Sequence, residues 1–240
     1  MSHRPPVTSA PDTPLEERTV GELVAEQPGR SRVFQKYQID FCCKGGRTLR
    51  EACESRQVPV QEVVVELKAE DSGRNTTVEN PANLPPAELA AYIVEKHHGF
   101  LRAELPRLHA MAQRVAKVHG GHTPSLVQVF NVYCDLFLEL DSHMQKEEEI
   151  LFPAVSAIAR GEAPPVPLNG PIGQMVEEHE ETGEALRRLR ALTHDYQPPA
   201  EACNTWRALF AGLADLERDL HQHIHLENHV LFPAAERLAA

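Results

Sequence analysis

His143-Met-Gln-Lys-Glu147-Glu-Glu-Ile-Leu-Phe-Pro153 and His223-Ile-His-Leu-Glu227-Asn-His-Val-Leu-Phe-Pro233 are two copies of one pattern, in which histidine, glutamate and a Leu-Phe-Pro triplet recur at an offset of 80. The stretches before them correspond at an offset of 81: His98 is followed by Leu105, Arg107 and Leu108, and His179 by Leu186, Arg188 and Leu189. The chain therefore carries one helical hairpin twice. Each copy supplies a lone histidine from its first helix and a His-x-x-x-Glu from its second.

Residues four apart share a helix face, so His143 with Glu147, and His223 with Glu227, can each reach one point. Apolar stripes run through both pairs: Leu136, Leu140 and Ile150 in the first copy, Leu216, Leu220 and Val230 in the second. His98 lies between Val94 and Leu101, and His179 follows Ile172, Met175 and Val176. Four imidazoles and two carboxylates are thus aimed into a core. Buried glutamates are costly there and tend to protonate, whereas metal cations reverse that preference. Imidazole and carboxylate ligands from facing helices are the construction of carboxylate-bridged metal pairs in bundles. The expected ligands are His98, His143, Glu147, His179, His223 and Glu227, two histidines per metal with both glutamates bridging. Positions remain open for a small molecule. The residue types alone accept manganese or zinc nearly as well as iron.

Outward from the repeat, a 3.6-residue apolar period predicts helices over 86–118, 123–159, 171–193 and 199–238. Four long helices with short, Pro-rich connections read as an all-α antiparallel bundle over 86–240. The polar, Asn- and Pro-containing stretch 69–85 reads as a linker. Before it, 15–68 reads as a small helical domain that opens on a Thr19–Glu22 capping box. Residues 1–14 are Pro-rich and read as a disordered lead-in. Strand signals are absent.

Apolar residues make up 42% of the 240, enough for a sizeable core, and the formal net charge of −11 argues against nucleic-acid or anionic-membrane partners. No apolar run approaches the ~18 residues of a membrane span, and the first residues have no signal-peptide core. Five cysteines, two of them adjacent, do not form an extracellular disulfide framework, so a cytoplasmic setting fits. No Ser/His/Asp or Gly-rich phosphate pattern is present.

Other readings compete locally. His221, His225 and His229 form an i, i+4, i+8 row that could hold zinc, but their counterparts in the first copy are Asp141, Gln145 and Glu149, and a solvated face is expected. His97 is rotated roughly 100° from His98 and faces elsewhere; His109, His119, His122 and His194 read as core residues. Glu139 and Glu178 read equally as partners of the ligands or as exposed charges. In DFCCKGGRTL, Cys42 and Cys43 are ordinary buried thiols or a redox or metal-handling pair. Lys44 and Arg47 nearby favour accessible thiolates. Cys53, Cys134 and Cys203 read as structural residues on helices.

EEHEETGEAL, SHMQKEEEILFP and HIHLENHVLFP together resemble the hemerythrin-like domain of the iron–sulfur cluster repair di-iron proteins, also called the repair of iron centres family. DFCCKGGRTL resembles the signature of the short domain that precedes it there. The likeness spans roughly residues 15 to 238. It implies two iron ions on His98, His143, Glu147, His179, His223 and Glu227, with the two glutamates as bridges, and a functional role in redox or transfer for Cys42 and Cys43. It also implies a cytoplasmic stress protein, more an iron donor than a classical enzyme, whose clients are iron–sulfur proteins damaged by nitric oxide or oxidation. Binding, sequestration or reduction of nitric oxide is the alternative, with nitric oxide or dioxygen as small ligands. A homodimer stays open. Oxygen-carrying hemerythrins use a further histidine one turn along the third helix; here Gly183 stands four residues after His179. Fewer protein ligands suit iron release better than oxygen storage.

Overall fold

The computed structural model describes residues 13–72 and 80–239. The expected lead-in and the middle of the expected linker fall largely outside them. Backbone contacts divide the chain into two compact units, one of residues 1–90, 158–162 and 221–240, the other of 91–157 and 163–220. Among the described residues there is no strand, only one isolated bridge between Thr19 and Thr48.

The first unit is built from short helices: α1 (Val20–Glu26), α2 (Ser31–Lys36), α3 (Leu49–Arg56) and α4 (Val60–Ser72). The Thr19–Glu22 capping box forms as expected, and a second one, Thr48–Glu51, opens α3. Both satisfy amides that a helix start leaves without intrahelical partners. The two caps are tied together: Val20 N donates to Arg47 O at 2.9 Å and Leu49 N to Arg18 O at 2.9 Å. Arg30 is buried and forks onto both oxygens of Asp71 at 3.0 and 2.7 Å. Asp71 belongs to α4, which continues to Ser72, four residues into the stretch read as linker. The core of this unit joins Leu23, Phe34, Phe41, Leu49, Cys53, Val63 and Leu67 with Ile224 from far along the chain.

The second unit contains most of the long helices, whose stretches 86–90, 158–159 and 221–239 belong to the first unit. A helix begins as α5 (Pro86–Ile93), passes through a π-helical turn at Val94–His98 and continues as α6 (Gly99–His119). α7 (Ser125–Lys146) passes through a π turn at Glu147–Leu151 into α8 (Phe152–Ala159). α9 is Asn169–Leu192. α10 (Asn204–Leu226) passes through a π turn at Glu227–Leu231 into α11 (Phe232–Ala239). Residues 199–203 precede α10 rather than open it, so Cys203 is not helical, and it is exposed. Leu101, Leu105 and Leu108 of α6, Leu136 and Leu140 of α7, Leu186 and Leu189 of α9, and Leu209, Leu213, Leu216 and Leu220 of α10 form one aliphatic core.

Three π turns were not expected from the helical period, and two have a visible cause. Pro153 and Pro233 each stand two residues past one. A proline inside a helix clashes with the carbonyl four residues earlier, and a wider turn relieves the clash. The extra residue shifts the register. Leu151, 1% exposed, is turned inward, while Ile150, expected on the core stripe, is 44% exposed. In the second copy Leu231, not Val230, is the buried residue.

Candidate metal centre

Each of the three π turns carries one of the expected ligands at an end: His98 closes the first, Glu147 opens the second and Glu227 opens the third. Such turns are rare and concentrate at functional sites, because the inserted residue re-aims a side chain that a regular helix would fix elsewhere.

In the bundle unit, His98, His143, Glu147 and His179 lie together, all buried. Glu147 is fully enclosed and divides its oxygens between two histidines: Oε2 lies 3.2 Å from His98 Nε2 and Oε1 lies 3.3 Å from His143 Nε2. His179 Nε2 faces His143 Nε2 at 3.2 Å. In the other unit, the fully enclosed Glu227 brings Oε1 to 3.1 Å from His223 Nε2. His98, His143 and His179 thus present Nε2 to one another and to Glu147, and His223 presents Nε2 to Glu227. Donor atoms sharing one ion at about 2.0–2.2 Å stand roughly 2.9–3.6 Å apart. The observed separations lie in that range, so the donor set fits a divalent cation.

The outward nitrogens of His98 and His143 are held as metal-bound histidines usually are, by carboxylates that fix ring orientation and tautomer. His98 Nδ1 donates to Glu148 Oε1 at 2.6 Å, and Arg102 donates to the same oxygen at 2.7 Å. His143 Nδ1 donates to Glu178 Oε2 at 2.8 Å, with Gln174 at 2.9 Å and Lys146 on its other oxygen. The His143 hydrogen bond, opposed by burial and helped by Lys146 and Gln174, holds the Glu178 carboxyl down to about 2. The His98 ring also stacks on Phe152. Glu178 therefore faces a histidine rather than solvent. Glu148 escaped the sequence reading, because regular spacing puts it off the core face and only the π turn brings it round.

Glu139 lines a cavity of about 290 Å³ that reaches His143 together with Glu178, Glu181 and Lys146. Partial burial, then the charges of Glu181, Asp135 and Glu178, push its carboxyl up. His97, one residue before His98, is occupied elsewhere, with Nδ1 at 2.9 Å from Asp219. Gly183 is buried one turn after His179, as the missing fifth histidine implied.

Two expectations are overturned in the cysteine-bearing unit. The His221, His225, His229 row is not a solvated face. His225 is 3% exposed, with Nδ1 at 3.4 Å from Phe41 O, and His229 Nε2 donates to Cys42 O at 2.8 Å. Asn228 adds a bond to the same carbonyl at 3.3 Å, and the Phe41 ring packs edge-on against His221 and His225. A Cβ at Gly45 would lie 2.2 Å from His229 Nε2, so glycine is what lets this ring seat. Nor does the loop favour a thiolate at Cys42, which is buried. Its hydrogen bond with Cys43, then burial, then the charges of Cys43 and Asp40 push the thiol up.

A helical bundle whose core gathers histidines around a shared carboxylate defines a hemerythrin-type cation-binding protein. The chain belongs to that family: the hemerythrin HHE cation binding domain matches residues 89–235, and the ScdA_N domain, a Domain of Unknown function (DUF542), matches 16–71. It is 38% identical over 217 residues to the iron-sulfur cluster repair protein ScdA of Staphylococcus haemolyticus, covering 90% of this chain and 96% of that one. It is 40% identical over 219 residues to the iron-sulfur cluster repair protein YtfE of Edwardsiella ictaluri, covering 91% and 96%. With YtfE of Escherichia coli it shares 37% identity over 220 residues. Among the described residues no helix is long and apolar enough to cross a membrane.

Proposed function

We propose that this protein holds two iron ions on His98, His143, Glu147, His179, His223 and Glu227 and repairs iron–sulfur clusters damaged by nitric oxide or oxidation, by giving up iron to them. The observation that carries the reading is Glu147, enclosed in the bundle with one oxygen toward His98 and the other toward His143. That is the posture of a bridging carboxylate. The hairpin repeat assigns Glu227 the same role in the second copy, with His223 beside it.

Iron held this way supplies a labile, exchangeable ferrous or ferric ion and positions open to nitric oxide or dioxygen. The chain's own residues do the rest. Glu148 and Glu178 keep the His98 and His143 rings turned with Nε2 inward. The cavity beside His143 carries three carboxylates, from Glu139, Glu178 and Glu181, against one ammonium, from Lys146; that balance attracts a departing or arriving cation. Carboxylates and imidazoles exchange such ions readily. We assign residues 15–68 to a module that presents Cys42 and Cys43 for redox or transfer steps toward the client, 69–85 to a connection and 86–240 to iron storage. The setting in this reading is the cytoplasm, as a monomer or homodimer.

The test loads the full chain with isotopically labelled iron and incubates it with an iron–sulfur enzyme inactivated by nitric oxide. Recovery of enzyme activity together with labelled iron in the client is expected, lost in Glu147→Ala and His179→Ala. Recovery no better than with free ferrous ion at the same concentration would refute the reading.

A further inference from the structure

The loop that carries the adjacent cysteines holds a second group of metal donors. Asp40, Cys42 and Cys43 each offer a ligand atom within 4.8 Å of the others. Cys42 Sγ lies 3.7 Å from Cys43 Sγ and 3.4 Å from Asp40 Oδ1. Two sulfurs bound tetrahedrally to one ion at about 2.3 Å stand roughly 3.8 Å apart, and sulfur and oxygen on one ion roughly 3.1–3.6 Å. The loop thus holds its donors at chelating separations, too far apart for an S–S bond of about 2.05 Å.

The backbone is fixed well enough to keep them there. Asp40 Oδ1 accepts the amides of Cys42, Cys43 and Lys44 at 3.2, 2.9 and 3.2 Å. On the far side, the Cys42 carbonyl is gripped by His229 and Asn228, and Gly45 O accepts from Gly21 N at 2.9 Å. Burial opposes ionisation of Asp40, but the Lys44 and Cys43 amides, the Cys42 thiol and His221 outweigh it and keep the carboxyl below its usual range. A cation bound beside this carboxylate makes thiolate formation favourable.

We propose that Asp40, Cys42 and Cys43 form a second cation site, selective for borderline divalent ions such as ferrous iron or zinc. On binding, two S–H bonds break, two metal–sulfur bonds form and two protons leave for solvent; no electrons move. Three protein ligands leave a fourth position open to water or an incoming ligand. The site stands on the loop's own geometry and does not require the di-iron reading.

The experiment uses the full chain, reduced and stripped of metal, titrated with cobalt(II). Cobalt–thiolate bonds give a near-ultraviolet charge-transfer absorption that histidine and glutamate ligands do not produce. The band should appear in the wild type, persist in Glu147→Ala, disappear in C42S/C43S and form at least about tenfold more weakly in Asp40→Asn, which keeps an amide-accepting oxygen but loses the charge. Cobalt should also shield Cys42 and Cys43 from alkylation, read by mass spectrometry, while leaving exposed Cys203 reactive. That readout uses the unmutated protein and holds even if C42S/C43S misfolds. Absence of the band in a fully reduced chain, its survival in a folded C42S/C43S, or alkylation of both cysteines at saturating cobalt would each overturn the proposal. A failed Glu147→Ala loading with the band intact would bear on the bundle centre alone.

Discussion

Glu148 and Glu178 show how much one carboxylate beside an imidazole can decide. Neither belongs to the expected ligand set, yet each takes the outward Nδ1–H of a buried histidine, at 2.6 and 2.8 Å. Removing such a partner usually weakens metal retention about 10–100-fold. Glu148→Gln and Glu178→Gln are therefore expected to lose iron to a competing chelator at about 10–100-fold lower chelator concentration, while Glu149→Gln, on the exposed neighbour, is unchanged. Equal retention in all three variants would show that ring orientation does not depend on these pairs. Arg30 poses the same question in a structural setting. It is 6% exposed and forked onto Asp71, so Asp71→Ala should leave the buried guanidinium with only Glu26 and the Leu23 carbonyl as partners and cost about 1–3 kcal/mol in a denaturant titration.

At the scale of elements, the π turns govern where side chains point. Deleting Ile150 removes the inserted residue from Glu147–Leu151. Far-ultraviolet circular dichroism should stay helical, while Glu147 swings off its line to His98 and His143 and iron content falls. Full iron content in the deletion would mean the turn is a by-product of Pro153 alone. These turns also mark the limit of what the sequence made legible. The hairpin repeat and the 3.6-residue period are enough to place the long helices and to pick out four histidines and two glutamates that are each buried. A regular period cannot represent one extra residue, so it turns Ile150 and Val230 inward in place of Leu151 and Leu231 and leaves Glu148 off the core face. The His221, His225, His229 row failed for another reason. Periodicity finds the face turned to the bundle, but a helix can bury its opposite face against a separate stretch of chain, here the loop of Phe41 and Cys42. The same burial undid the expectation of a ready thiolate, since Lys44 and Arg47 are neighbours in sequence while Asp40 and Cys43 are the groups that touch the Cys42 thiol.

For the whole molecule, the proposed metal occupancy and folding stability are linked. A ligand bound only by the native state, at a free concentration about 1,000 times its Kd, adds about 4 kcal/mol. In a chain of this size that is roughly 8–16 °C in melting temperature. Calorimetry on iron-loaded and chelator-treated protein should show a gap of that order, abolished in Glu147→Ala; coincident melts would argue that the centre is not closed by metal. The division of the chain has a consequence for its biosynthesis. Residues 221–239 supply Ile224 to the core around Phe34 and Leu67, and His229 against Gly21 and Gly45. As the polypeptide leaves the ribosome, the cysteine-bearing segment emerges early but lacks these packing partners until nearly two hundred further residues have been made. Cys42 stays loosely covered through most of translation, and the fold buries it only when the far end of the chain arrives.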